Sequence, residues 1–144
     1  MEIMKNDDLL HKIKKLCNIK NPIFHDGMES QFSRELTFHI ENYGNNAISK
    51  LEDLIIGDKI DPEIAAEALR WIGRNTDKST HDKRLQLLGN SLTCSSPLVR
   101  EGALLGLAAL DDSAAIPFIE KAISIEPFFE LQHDMSVVAE QLKT

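Results

Sequence analysis

The stretch PLVREGALLGLAALDDSAAIPFI, residues 97–119, holds the most regular pattern in this chain. Its apolar residues recur every three or four positions, as at Val99, Ala103 and Leu107, which is the spacing of one face of an α-helix. Two aspartates then interrupt the pattern, and the apolar spacing resumes at Ile116. The stretch therefore predicts two helices joined by a short turn.

The same spacing runs through the rest of the chain. A capping side chain followed by proline, which is a helix start signal, stands at Asp61-Pro62 and Ser96-Pro97, and Glu126-Pro127 is expected to open the last helix. No alternating segment of strand length occurs. The sequence predicts an all-α fold of about eight helices, near residues 9–17, 29–43, 47–57, 61–74, 81–94, 96–110, 113–125 and 126–142.

These helices are repeated along the chain. A shift of residues 61–74 by 35 positions lays cap on cap and proline on proline over residues 96–109. Periods of about 30–40 residues built from helix pairs are typical of α-solenoids, in which each pair buries its apolar face against its neighbours. Gly102 and Gly106, one turn apart, are expected to let two helices approach closely.

Residues 97–119 resemble one unit of a HEAT-like repeat. In that family the first helix opens with proline and carries a Val-Arg pair, here Val99-Arg100, and the second helix has an apolar-Pro pair in its first turn, here Ile116-Pro117. The resemblance implies a short α-solenoid of HEAT-like antiparallel helix pairs. The implied single domain spans residues 1–144, with an N-terminal cap and an atypical repeat in 1–58 and HEAT-like repeats in 59–144.

The net charge is negative and unevenly distributed. With 16 Lys+Arg against 23 Asp+Glu in 144 residues the formal charge is −7, which argues against nucleic acid as the partner, because phosphates call for a basic face. Residues 101–144 hold two basic and eight acidic side chains, a net of −6. Apolar residues make up 42%, without a run of membrane-spanning length, so we expect a cytoplasmic domain with no membrane partner.

No motif for catalysis or for a cofactor is found. The five histidines show no metal-ligand spacing, and their side chains are predicted to be solvated. Cys17 and Cys94 lie near apolar helix positions and are expected to be small buried side chains rather than nucleophiles. Trp71 is expected to be partly buried, with an interface anchor as the alternative. The sequence thus predicts no catalytic residue, no metal site and no cofactor.

Acidic residues late in the chain are the candidates for binding a partner. Glu126, Glu130 and Asp134 are four positions apart and are expected to form one stripe, which no Lys or Arg of residues 122–142 neutralises. Phe128-Phe129 adds apolar area, and phenylalanine rimmed by carboxylates suits a protein with a basic surface. A solvated helix face and helix capping are the alternatives. The predicted partner-binding residues are Glu126, Phe128, Phe129, Glu130, Asp134, Glu120 and Asp112.

A small, acidic, stand-alone helical repeat resembles the immunity proteins that bacteria pair with secreted toxins, especially nuclease toxins. The resemblance implies a non-catalytic module that covers the basic nucleic-acid site of a toxin domain with carboxylates and associates by electrostatic steering. A general HEAT-repeat scaffold or assembly factor would use the same physics with a different partner.

The remaining alternative is a nucleic-acid-acting enzyme, similar to the helical-repeat glycosylases that grip DNA. That function needs a basic groove, and the sequence offers two modest groups of cations, each of which a solvated helix face also explains. These groups are Lys12, Lys14, Lys15 and Lys20, and Arg70, Arg74, Lys83 and Arg84.

Overall fold

The computed structural model describes residues 6–144, and no strand occurs among them. The eight helices are α1 (Asn6–Leu16), α2 (Gln31–Tyr43), α3 (Asn45–Ile56), α4 (Pro62–Arg74), α5 (His81–Ser91), α6 (Pro97–Leu110), α7 (Ile116–Ile123) and α8 (Phe129–Leu142). Short 3₁₀ turns precede α5 and α7. The predicted all-α fold with about eight helices is confirmed. Residues 1–5, where the predicted N-terminal cap begins, lie outside the described residues.

Side-chain caps set two of the predicted helix starts. The Asp61 carboxylate accepts a hydrogen bond from the Glu63 N–H at 2.8 Å, and the Ser96 hydroxyl accepts one from the Val99 N–H at 3.5 Å. Proline follows each cap at the start of the helix, where its missing N–H removes no helical hydrogen bond. Helices α4 and α6 therefore begin where the sequence predicts.

The last helix begins later than predicted. Glu126-Pro127 does not open it, because Phe128 has an extended backbone (φ −96°, ψ 121°) and α8 starts at Phe129. The Glu126 carboxylate accepts a hydrogen bond from the Phe128 N–H at 3.1 Å. Glu126 thus belongs to the loop between α7 and α8, where a contact with α6 holds it. A helix start signal depends on neighbouring residues of the chain and therefore does not predict that contact.

The helices pack in two rows. Helices α2, α4, α6 and α8 contact one another in that order, and α1, α3, α5 and α7 do the same. Contacts of α1 with α2, of α4 with α5 and of α7 with α8 join the rows. One cluster of buried apolar side chains, from Leu9 to Leu142, fills the space between them. Helices α1 and α2 therefore stand at one end of the rows, and α7 and α8 stand at the other.

Two glycines allow α4 and α6 to pack backbone against backbone. A Cβ added at Gly102 would lie 2.6 Å from the Ala66 carbonyl oxygen, and one at Gly106 would lie 2.5 Å from the Leu69 carbonyl oxygen. Both distances are far below van der Waals contact, so a larger residue would push the helices apart. The close-packing role predicted for Gly102 and Gly106 is confirmed.

Candidate protein-binding surface

The exposed side of α8 and the loop before it carry apolar and acidic side chains together. Glu130 and Asp134, one turn apart on α8, are exposed, and so are Ile125 and Phe128 in the loop. Phe129, the first residue of the helix, is 80% exposed. Exposed apolar residues that are close together in sequence and flanked by carboxylates are candidates for an interaction site. We call these five residues the C-terminal patch.

Glu126 does not belong to this surface, contrary to the prediction. It is only 8% exposed, and its carboxylate accepts hydrogen bonds from Arg100 Nε at 2.7 Å and from Arg100 Nη2 at 3.1 Å. Because α8 begins at Phe129, Glu126 lies outside the helix and out of register with Glu130 and Asp134. The predicted stripe of three carboxylates is therefore a pair, and the cation that neutralises Glu126 comes from α6.

Arg100 connects three segments at this end of the molecule. Its Nη1 donates to the carbonyl oxygens of Cys94 and Ser95, both at 2.9 Å, while Nε and Nη2 hold Glu126. Burial raises the pKa of Glu126, but the hydrogen bonds from Arg100 and from the Phe128 N–H outweigh burial and lower that pKa overall. The ionised carboxylate thereby fixes the loop that presents Phe128, whose ring centroid lies 5.9 Å from the guanidinium carbon.

Glu120 is exposed on α7 but lies near a cation. Lys143 donates a hydrogen bond to the Glu140 carboxylate at 3.0 Å. That bond is the main cause that raises the pKa of Lys143, and the charge of Glu120 contributes more weakly. Lys143 thus pairs with Glu140 and lies close enough to Glu120 to feel its charge.

Asp112, another predicted partner-binding residue, has structural partners. Its carboxylate accepts hydrogen bonds from His81 Nε2 at 2.7 Å and from the Ala114 N–H at 2.9 Å. The bond from His81 is the largest cause that lowers the pKa of Asp112. His81 is therefore not the free, solvated histidine that the sequence predicts, because it ties the start of α5 to the turn before α7. The capping role that the sequence left open for Asp112 is confirmed.

The two predicted groups of cations differ in accessibility. In the second group, Arg84 is 1% exposed, and its guanidinium donates to the Thr80 hydroxyl and to the carbonyl oxygens of Ile72 and Asp77. Arg84 thus holds the connection between α4 and α5 and offers no charge to a nucleic acid. The first group is exposed on α1 or shortly after it and comprises Lys12, Lys14, Lys15 and Lys20.

Trp71 and Cys17 lie in the environments predicted for them. Trp71 is half-buried, and the Arg74 guanidinium carbon lies 4.7 Å from the centroid of its ring. Cys17 is buried, and burial raises the pKa of its thiol to about 12. Cys94 is half-buried, and its pKa is also raised, chiefly by burial. Neither thiol has the lowered pKa of an activated nucleophile.

The sequence did not indicate a groove at the opposite end of the molecule. It encloses about 880 Å³ between α1, α2 and the segment that connects them. We call it the N-terminal groove, and its lining includes Lys12, Lys15, Ile23, Phe24, Glu35 and Phe38. The connecting segment has the composition of a turn, so an apolar residue within it, Ile23, is the feature of the sequence that could have indicated the groove. The structure leaves Ile23 78% exposed.

A scan against protein-family models, a search of the curated proteins and a search of the solved structures gave no match for this chain. Among the residues that the structure describes, no three His, Cys, Asp or Glu side chains are grouped so that they could hold a metal ion. No helix within residues 6–144 combines the length and the apolar character needed to cross a membrane.

Proposed function

We propose that this protein is a non-catalytic module of HEAT-like helix pairs that binds a protein with a basic surface through its C-terminal patch. The observation that carries the proposal is the exposure of Phe128 and Phe129 beside Glu130 and Asp134. Aromatic anchors supply much of the binding free energy at protein interfaces, and rim charges steer the partner toward them. The patch offers both kinds of group.

The distribution of charge supports a basic partner. Residues 101–144 carry a net charge of −6 out of −7 for the whole chain. Part of this charge is neutralised locally, since Glu126 pairs with Arg100 and Glu140 with Lys143. Within the residues that the structure describes, the ion pairs leave out Glu130 and Asp134. These two carboxylates are therefore available to a partner.

In its more specific form, the proposal is that the protein is an immunity protein that neutralises a nuclease-type toxin domain in the cytoplasm. Such a domain is basic because it holds RNA or DNA, and two carboxylates one turn apart on α8 can take the places of phosphates. The acidic end and the paired helices support this form. A scaffold or assembly factor would present the same patch to another basic protein.

The proposal is tested by measuring the kinetics with which this protein binds a purified nuclease domain. That domain is taken from a toxin encoded beside the gene for this chain. We expect the association rate constant to fall by about tenfold as salt rises from low to physiological concentration, because salt screens exposed charges beyond about 8 Å. Glu130→Lys/Asp134→Lys should slow association at low salt. Phe129→Ala should instead speed dissociation, because it removes an apolar anchor.

Asp53→Lys/Glu101→Lys is the matched control, since it changes the net charge equally at exposed positions of α3 and α6. It should slow association far less than the change in the patch. Association that is independent of salt, or equal slowing by the two double variants, would contradict the role of the C-terminal patch. Binding that leaves the nuclease active would favour the scaffold, and binding to duplex DNA at moderate salt would favour the nucleic-acid alternative.

A further inference from the structure

Both ends of the helix rows carry exposed apolar surface. In its row, α2 contacts α4 and α8 contacts α6, so each of these two helices stands at one end of its row. Terminal units of repeat proteins usually have a polar outer face, which keeps separate molecules from stacking. Here the N-terminal groove lies at one end of the rows and the C-terminal patch at the other, and both combine apolar with charged groups.

The N-terminal groove is apolar inside and positively charged along α1. Phe24 and Phe38 line it, and Ile23 stands exposed in the same lining. Lys12 and Lys15 are separated by one helical turn on α1, and both are exposed. The α2 side contributes the single carboxylate of Glu35. The groove therefore favours an apolar ligand that carries negative charge.

The C-terminal patch has the complementary features. Phe128 and Phe129 are exposed aromatic side chains, and a groove of about 880 Å³ has room for both rings. Glu130 and Asp134 are exposed carboxylates one turn apart, a spacing that matches the two ammonium groups one turn apart on α1. The rows of helices separate the two ends within one molecule, so the two surfaces can meet only between molecules.

We propose that the N-terminal groove binds the C-terminal patch of a second copy of this chain, head to tail. Each joined copy still has one free groove or one free patch, so the contact is heterologous and extends into chains of copies or closes into a ring. A covered patch is closed to other proteins, so a basic partner competes with the groove of the next copy. The self-association itself does not depend on the proposed function.

Sedimentation velocity of the full chain over a range of concentrations tests this arrangement. We expect the wild-type mass to rise beyond that of a dimer with concentration and to fall as salt is added. Ile23→Asp disables the groove and Phe129→Asp disables the patch, at positions exposed enough for the fold to survive, which circular dichroism checks. Each variant alone should self-associate at least about tenfold more weakly than the wild type. A mixture of the two should form dimers and stop there.

Leu105→Asp, at an exposed apolar position of α6 in the middle of its row, is the control and should assemble like the wild type. Self-association of Ile23→Asp alone that is as strong as that of the wild type would overturn the proposal, because that contact would not use the groove. A wild-type chain that stays monomeric at about 1 mM would overturn it as well. Ile23→Asp should still bind the basic nuclease domain, so a failure of self-association and a failure of the proposed function give different results.

Discussion

At the scale of single residues, Arg100 and Glu126 govern which side chains the C-terminal end presents. Taking two charges out of water costs several kcal/mol, and a buried pair persists only when further hydrogen bonds satisfy both groups. Here the carbonyl oxygens of Cys94 and Ser95 and the Phe128 N–H complete the pair. The pair holds the loop between α7 and α8 against α6. A glutamate expected to bind a partner instead shapes the loop that presents Ile125 and Phe128 of the C-terminal patch.

Removing one member of this pair should be strongly destabilising. We expect Arg100→Met to lower the free energy of unfolding by about 3–5 kcal/mol, because the charge of Glu126 is then buried without its cation. Arg100→Met/Glu126→Leu should recover part of that loss, with a coupling of about 0.5–3 kcal/mol between the two positions. Urea unfolding at neutral pH measures both values. Equal losses in the single and the double variant would show that the carbonyl contacts of Arg100 dominate.

At the scale of secondary-structure elements, α4 and α6 form the closest contact between helices. Gly73 of α4 faces the backbone of Gly106, and Gly102 faces the backbone of Ala66. Glycine weakens an exposed helix by about 1 kcal/mol relative to alanine. In α6 this cost is offset by packing, because the missing Cβ atoms let the buried faces of two helices meet. The glycines therefore belong to the helix interface rather than to a turn.

Gly102→Ala tests this role in packing, since alanine favours a free helix but does not fit here. We expect a net destabilisation of about 1–2 kcal/mol, because overpacking costs about 1–3 kcal/mol and exceeds the gain in helix propensity. Thermal unfolding followed by circular dichroism measures it. Leu105→Ala, on the exposed side of the same helix, should change stability by only about 0.5 kcal/mol. A higher melting temperature for Gly102→Ala would contradict the contact.

At the scale of the whole molecule, two groups of carboxylates have different roles. Asp77, Asp112 and Glu126 accept hydrogen bonds that hold turns and loops, and their pKa values are lowered. Glu130 and Asp134 remain exposed on the outer side of the last helix. The first group stabilises the connections between helices, and the second supplies the negative field at one end of the rows.

The first group makes stability depend on pH. A carboxylate with a lowered pKa in the folded state stabilises the fold above its ordinary pKa, and that contribution disappears as pH falls through the folded value. The ordinary values are 3.8 for Asp112 and 4.5 for Glu126, so the free energy of unfolding should fall as pH drops below about 4.5. Asp112→Asn, which keeps a capping side chain but does not ionise, should show a smaller fall in urea titrations at about pH 5 and pH 3. An unchanged fall would contradict the contribution of the bond from His81.

Local signals were enough to predict the fold class and two of the helix starts. Asp61-Pro62 and Ser96-Pro97 act within one turn of backbone, and the apolar spacing of each helix depends on its own residues, so both can be read along the chain. The packing role of Gly102 and Gly106 could be predicted as well, because glycine weakens the middle of a helix and close packing of a second helix offsets that cost. The start of α8 could not be predicted, since it depends on Glu126 being held by another helix.

Which carboxylates reach the surface depends on contacts between helices, and the spacing of residues along one helix does not encode them. Glu126 meets Arg100 across 26 positions, and Asp112 meets His81 across 31 positions. The N-terminal groove likewise arises where α1, α2 and their connection come together. Hydrophobic spacing therefore specifies the helices, and composition places an excess of acid at one end of the chain. Burial by neighbouring helices decides that Phe129, Glu130 and Asp134 remain on the surface whereas Glu126 does not.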